Sequence, residues 1–284
     1  MLITSRRTFI ASGLATGLLH HLGITGRGRL RIGATDWNLN LSADPDAVAL
    51  AAKLGFDGVQ VSFGRKLVDN KLPLDDAERI ASYIRLAAQN KISIDGTNVD
   101  KLLDSDLKSD PLAPRWVLDA IRLTKALNAG VLLLPFFGRS TLHSGPEVER
   151  VGDVLRDLAP EATSAGVVLG LENMLSAEDN VRLMERSRSS NVRVYYDVGN
   201  STAAGFDPAK EIRWLGRDRI CQFHFKDNPH YLGAGTIQFA PILQAIQDIQ
   251  FSGYANLETS SPSGDLKADM RKNLAYVRNL MAGA

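Results

Sequence analysis

The sequence predicts a single (β/α)8 barrel over residues 30–284. Short apolar runs rich in Val, Ile and Leu alternate with longer stretches of helical period. Eight such units in about 255 residues match the size and rhythm of that barrel. No G-x-G-x-x-G turn follows the first strand, which argues against a doubly wound open sheet. No linker or composition break marks a second domain.

Taken in order, the strands are expected at 31–36, 58–62, 92–96, 130–135, 167–172, 192–197, 220–226 and 254–258. The helices are expected at 44–54, 74–90, 113–127, 147–165, 177–187, 209–215, 240–249 and 267–281. Ser42 or Asp44 can cap the first helix, with Pro45 placed where a missing N–H costs little. Gly55, Asn90, Gly166 and Gly216 stand where helices must stop, because Gly and Asn tolerate the left-handed cap.

Residues 1–26 read as an export leader. Arg6 and Arg7 are their only charged side chains and precede an apolar stretch from Phe9 to Leu22. Basic then apolar is the order of a signal peptide, and the arginine pair resembles a twin-arginine signal. The stretch is shorter than the roughly 20 residues of a membrane span. Export to the periplasm is expected, or a cytoplasmic location if the leader does not work. His20 and His21 end this stretch and take no metal role.

Composition narrows the function. Hydrophobic residues at 44% and charged residues at 23% suit a globular core, and 33 Lys+Arg against 32 Asp+Glu leave +1. General nucleic-acid binding therefore lacks its basic footprint. One cysteine excludes an internal disulfide and a thiolate metal cluster.

In a (β/α)8 barrel chemistry gathers where strands end. Four consecutive strands finish with Gly170-Leu171-Glu172-Asn173, Tyr195-Tyr196-Asp197-Val198, Phe223-His224-Phe225-Lys226 and Asn256-Leu257-Glu258-Thr259. If His224 points inward, alternation turns Gln222 and Lys226 inward too, with Cys221, Phe223 and Phe225 against the helices. Three carboxylates and an imidazole at one mouth raise one another's pKa unless a cation sits among them. One divalent ion, Mn²⁺, Co²⁺, Zn²⁺ or Mg²⁺, suits this oxygen and nitrogen set. Alternatively, Lys226 neutralises the carboxylates without metal.

These segments, with Tyr196-Asp197-Val198-Gly199-Asn200 and His224-Phe225-Lys226-Asp227, resemble the xylose isomerase-like TIM-barrel superfamily, in its sugar isomerase/epimerase branch. The resemblance implies that Glu172, Asp197, His224 and Glu258 bind one metal and that Glu172 and Glu258 exchange protons with substrate. It also implies substrate contacts at Glu178, Asn200 and His230. Two positions depart from the ketose epimerases: Asn200 replaces a His and His230 an Arg.

The chemistry follows from the groups. A C–H beside a carbonyl is acidified when a metal stabilises the developing enediolate. One glutamate then removes the proton and the other returns it. The expected function is a metal-dependent isomerase or epimerase of a small-molecule sugar or polyol ketone, unphosphorylated if the leader works. The alternatives are a metal-dependent lyase or dehydratase on a keto-sugar or keto-glycoside, an abasic-site endonuclease and a non-catalytic carbohydrate-binding barrel.

Secondary candidates surround this set. Lys226 can hold a substrate oxygen, and Trp37, Phe136 or Phe137 can wall a sugar ring or simply pack. Asp95 and Asn98 stand at the third strand end. Residues 231–235 resemble a flexible loop over the site. Trp116 and Trp214 are expected in the core, His143 in solvent.

Overall fold

The computed structural model describes residues 29–143 and 145–283, so the leader assigned to residues 1–26 lies outside the described residues. The strands are β1 (Leu30–Thr35), β2 (Gly58–Ser62), β3 (Ser93–Asn98), β4 (Val131–Pro135), β5 (Val168–Glu172), β6 (Val192–Asp197), β7 (Ile220–Phe225) and β8 (Gly253–Leu257). All pair in parallel, each with its neighbours in sequence, and β1 pairs β8 to close the barrel. The predicted (β/α)8 barrel is the observed fold.

Helices α1 (Asp46–Leu54), α2 (Ala77–Asn90), α3 (Ala113–Ala126), α4 (Gly145–Ala165) and α5 (Ala177–Ser187) follow the first five strands. After β6 come α6 (Val198–Ala203) and α7 (Pro208–Leu215), then α8 (Phe239–Asp248) and α9 (Leu266–Ala282). The short α6 was not anticipated. Asp197 caps it, accepting from the Asn200 backbone N–H, and a helix of six residues shows no period in sequence. None of the described helices is long and apolar enough to cross a membrane.

The helix ends follow local chemistry. Asp76, Ser176, Asp207 and Asp265 each accept the backbone N–H of the residue three positions on, in the helix they cap. Gly55 is the left-handed cap of α1, as expected. On α2 it is Lys91, at φ 52°, not Asn90, which remains helical. Asp44 accepts from the Asp46 N–H but Pro45 holds the cap position.

The apolar core lies between strands and helices, where Val59, Val61, Leu132, Leu134, Phe223 and Phe225 are buried. The inner face is polar instead, with Gln60, Asp95, Tyr195, Gln222, His224 and Asn256 buried there. Gly33 leaves room for two of these. A Cβ on Gly33 would collide with Asn256 Oδ1 and with Asp95 Oδ2.

Two register shifts correct the alternation. Asp95 is the extra residue between the Val59↔Ile94 and Gln60↔Gly96 pairs, and Cys221 between Val194↔Ile220 and Tyr195↔Gln222. The second bulge turns Cys221 from the helix layer to the interior, where its Sγ crowds the Cβ position of Gly170. Trp116 is buried, whereas Trp214 is 48% exposed, with the Arg219 guanidinium 5.9 Å from its ring. Helix α7 buries Ala209, Ile212 and Leu215, and Trp214 falls off that stripe.

Candidate functional site

Register places four side chains at the C-terminal mouth. Glu172 ends β5, Asp197 ends β6 directly opposite His224 of β7, and Glu258 follows β8. Each offers one ligand atom, and these atoms lie within 4.8 Å of one another. His224 Nδ1 stands 3.0 Å from Glu172 Oε1, 3.7 Å from Glu258 Oε2 and 3.8 Å from Asp197 Oδ2. On the other side of the ring, Nε2 lies 2.7 Å from Gln60 Oε1.

Two cations answer the three carboxylates. Lys226 Nζ bridges Asp197 Oδ2 at 2.8 Å and Glu258 Oε2 at 2.7 Å. Burial pushes the Asp197 carboxyl up to about 7, with Lys226 opposing and Glu172 and Glu258 adding to the rise. Glu258 goes the other way, to about 2. Burial there is outweighed by the charges of His224 and Lys226 and by hydrogen bonds from Lys226 and Trp37. His224 is raised because its carboxylate neighbours overcome a burial that by itself lowers it.

The donor set fits a divalent cation. Three carboxylates and an imidazole nitrogen converge, all but Glu258 buried. Asp197 Oδ2 is buried and accepts no well-formed hydrogen bond, its close neighbour being the Lys226 ammonium. An ion among these oxygens would satisfy that atom.

The remaining candidates divide. Asn200 reaches the site, with Nδ2 3.3 Å from Glu172 Oε1. Trp37 also arrives, through its indole N–H, which donates to Glu258 Oε1 at 3.0 Å. Its ring stands edge-on to the His224 ring at 5.8 Å. Glu178 is exposed on the first turn of α5, and His230 is exposed on the loop after β7. Neither side chain shares a hydrogen bond or ion pair with the four among the described residues. Phe137 is half-buried just past β4, whose last residue pairs with Glu172, while Phe136 joins the core. His143 is exposed.

Asp95 lies in mid-strand and bonds Asn256, so it does not reach the mouth. Asn98 ends β3 and is buried with its Oδ1 unpartnered. The loop at residues 231–235 is anchored. Asp227 accepts the N–H groups of Gly233 and Gly235, and Asn273 of α9 accepts that of Leu232.

Sequence reasoning missed Gln60, Tyr195 and Asn256. Their signal was present: Val59-Gln60-Val61 and Ala255-Asn256-Leu257 each set one polar residue among apolar neighbours, on the parity that faces inward.

Comparison with known proteins agrees with this architecture. The chain is 30% identical over 211 residues, 73% of its length and 76% of the relative's, to 2-epi-5-epi-valiolone 7-phosphate 2-epimerase of an Actinoplanes species. In structure it resembles the D-allulose 3-epimerase of a Methylomonas species, with TM-score 0.72 and 18% identity over 89% of this chain and 98% of that one. It also resembles the 3-keto-D-glucoside 4-epimerase of E. coli, with TM-score 0.72 and 16% identity over 88% of this chain and 100% of that one. At such identities the likeness concerns the fold. Residues 48–280 match the family described as xylose isomerase-like TIM barrel, and the chain belongs to that family.

Proposed function

We propose that this protein is a sugar isomerase or epimerase, acting on a sugar or related polyol ketone and using one divalent ion held by Glu172, Asp197, His224 and Glu258. The observation that carries the reading is the convergence of those four ligand atoms within 4.8 Å at the barrel mouth. The curated relative, whose name is that of an epimerase, supports the reaction class. When bound, the ion supplies Lewis-acid stabilisation to substrate oxygens as negative charge develops.

The chain's own residues move the proton. Glu258, ionised down to about pH 2, is the base that takes a proton from the carbon beside the carbonyl. Trp37 fixes its Oε1, and the Lys226 ammonium lies against Oε2. Glu172, oriented by Asn200, enters the step carrying a proton taken from solvent and returns it from across His224, after which Glu258 releases the abstracted proton to solvent. Return to the opposite face of the same carbon gives epimerisation, and return to the adjacent carbon gives isomerisation. Lys226 turns from the carboxylates to a substrate oxygen.

Elimination is the second reading. Asn200 stands where the ketose epimerases resembled by the sequence carry a His, and its amide is engaged with Glu172. A β-hydroxyl or β-alkoxyl leaving after proton removal makes the site a lyase or dehydratase.

The test is incubation of metal-supplemented protein in D2O with ketoses, aldoses and keto-glycosides, each with and without phosphate. Deuterium entering a single carbon is the expected result. A new carbonyl with loss of water or an alcohol assigns the lyase. Absence of exchange across a panel that includes 2-epi-5-epi-valiolone 7-phosphate would overturn proton transfer as the function. An unphosphorylated substrate is the expectation that accompanies export.

A further inference from the structure

Below the carboxylates the barrel interior carries a column of polar side chains that proton transfer does not touch, and its hydrogen bonds diverge from the Asn256 amide and converge on the Gln60 oxygen. Gln60 Nε2 faces the Thr97 carbonyl at 3.5 Å, which turns Gln60 Oε1 toward the barrel axis. There Oε1 lies 3.1 Å from Tyr195 Oη and 2.7 Å from His224 Nε2. Tyr195 has one hydroxyl proton, and its oxygen accepts from Asn256 Nδ2 at 3.0 Å, so that proton goes to Gln60. Asn256 Nδ2 gives its other hydrogen to Asp95 Oδ1 at 3.0 Å.

An amide oxygen has no hydrogen to give, so the 2.7 Å contact requires a ring proton on His224 Nε2 whether the ring is charged or neutral, and a ring that gives up its other proton to bind an ion is left in the Nε2–H form. Nδ1 then faces Glu172, Glu258 and Asp197. Gln60 and His224 are both fully buried, so water does not replace either partner.

We propose that Gln60 is a positioning residue that holds His224 in its Nε2–H form, so that Nδ1 is the atom offered to a divalent ion. Tyr195 and Asn256 fix Gln60 from behind. The inference rests on the metal-site reading above. Without the Gln60 oxygen, Nε2 has no acceptor and the ring proton moves to Nδ1, where Glu172 accepts it. The lone pair then points away from the carboxylates.

Two substitutions in the full chain separate this role from packing. Gln60→Met keeps the length of the side chain and removes the acceptor, whereas Gln60→Glu keeps acceptor oxygens. Zn²⁺ affinity, read by competition with a chromogenic chelator, should fall about 10–100-fold in Gln60→Met, the usual cost of losing the partner of a ligating histidine. Gln60→Glu should stay close to the parent. Long-range ¹H–¹⁵N spectra of the His224 ring should show a slowly exchanging Nε2 proton in the parent and not in Gln60→Met.

If Gln60→Met does not fold, Tyr195→Phe keeps the ring and removes the hydroxyl that holds Gln60. It should speed exchange of the Nε2 proton and weaken Zn²⁺ by a smaller factor. Parent-like affinity with an unchanged Nε2 signal in Gln60→Met, or in its stead an unchanged signal in Tyr195→Phe, would overturn the proposal. So would Gln60→Glu binding as weakly as Gln60→Met. If the parent takes up no Zn²⁺, the metal-site reading fails by itself, and the ring spectra of the metal-free protein decide the role of Gln60.

Discussion

Trp37 and Glu258, 221 residues apart in the chain, are joined by a 3.0 Å hydrogen bond from the indole N–H to Oε1. The bond spans the seam where β8 meets β1, so closure of the barrel is what brings the pair together. It orients Glu258 from one side while Lys226 approaches Oε2 from the other. The indole is thus a polar support of the proposed base, in addition to any apolar wall it offers a sugar.

Trp37→Phe keeps an aromatic ring and removes that donor. A hydrogen bond to a charged group is worth about 1.5–3 kcal/mol, so turnover should fall about tenfold to a hundredfold while the far-ultraviolet circular dichroism of the barrel stays that of the parent. Rates of solvent-deuterium exchange into substrate measure it. Turnover equal to the parent's would show that the bond does not position Glu258.

Glu258→Gln and Glu172→Gln test the two proton carriers. Each keeps an oxygen able to touch an ion and loses the base. Turnover should drop roughly 10²–10⁴-fold, the worth of a positioned acid or base, with metal content and substrate affinity falling far less. Parallel loss of metal and activity in both variants would make the glutamates ligands alone.

His224→Ala tests the ion itself. The parent should hold about one divalent metal per chain after dialysis, and the variant much less, by elemental analysis. The barrel should remain folded by circular dichroism, because the apolar core lies outside the strands rather than at the mouth. A parent that is fully active with no metal would assign neutralisation of the carboxylates to Lys226.

The eight strands were readable because β-branched runs of four to eight residues alternate with helical periods, and the four mouth residues because they end successive strands. Other features depend on partners distant in sequence. The indole of Trp37 looks like any apolar wall until Glu258 is placed beside it. Nothing local to Cys221 or Asp95 announces that each is the extra residue of a bulge, and that is why the parity argument sent Cys221 to the wrong layer. Gln60, Tyr195 and Asn256 were legible as inward polar positions, but their bonds cross the barrel between strands distant in the chain.

The proposed leader carries its own test. Replacing Arg6 and Arg7 by Lys keeps the charge and removes the guanidinium pair that the twin-arginine resemblance rests on. Cell fractionation should then find the protein retained in the cytoplasm. Unchanged periplasmic recovery of the double variant would remove the twin-arginine assignment.

Asp95 gives the stability a pH dependence of known sign. Burial pushes its carboxyl from the ordinary 3.8 to about 7 in the folded chain, opposed by the hydrogen bond from Asn256. The folded state therefore holds a proton that the unfolded state has released between those values. Stability from this group is fully present below pH 3.8 and is lost as pH rises to about 7, at about 1.4 kcal/mol per pH unit. Asp95→Asn removes the titration and places an amide where Asp95 Oδ2 and Asn256 Oδ1 both lack partners. Urea unfolding at pH 5 and pH 8 should show the variant gaining roughly 2–3 kcal/mol on the parent between the two. Asp36 and Asp100, also pushed up to about 7, titrate in both proteins and cancel in the difference. A difference that does not change with pH would mean that Asp95 is ionised in the folded barrel and that the charge is met by the groups around it.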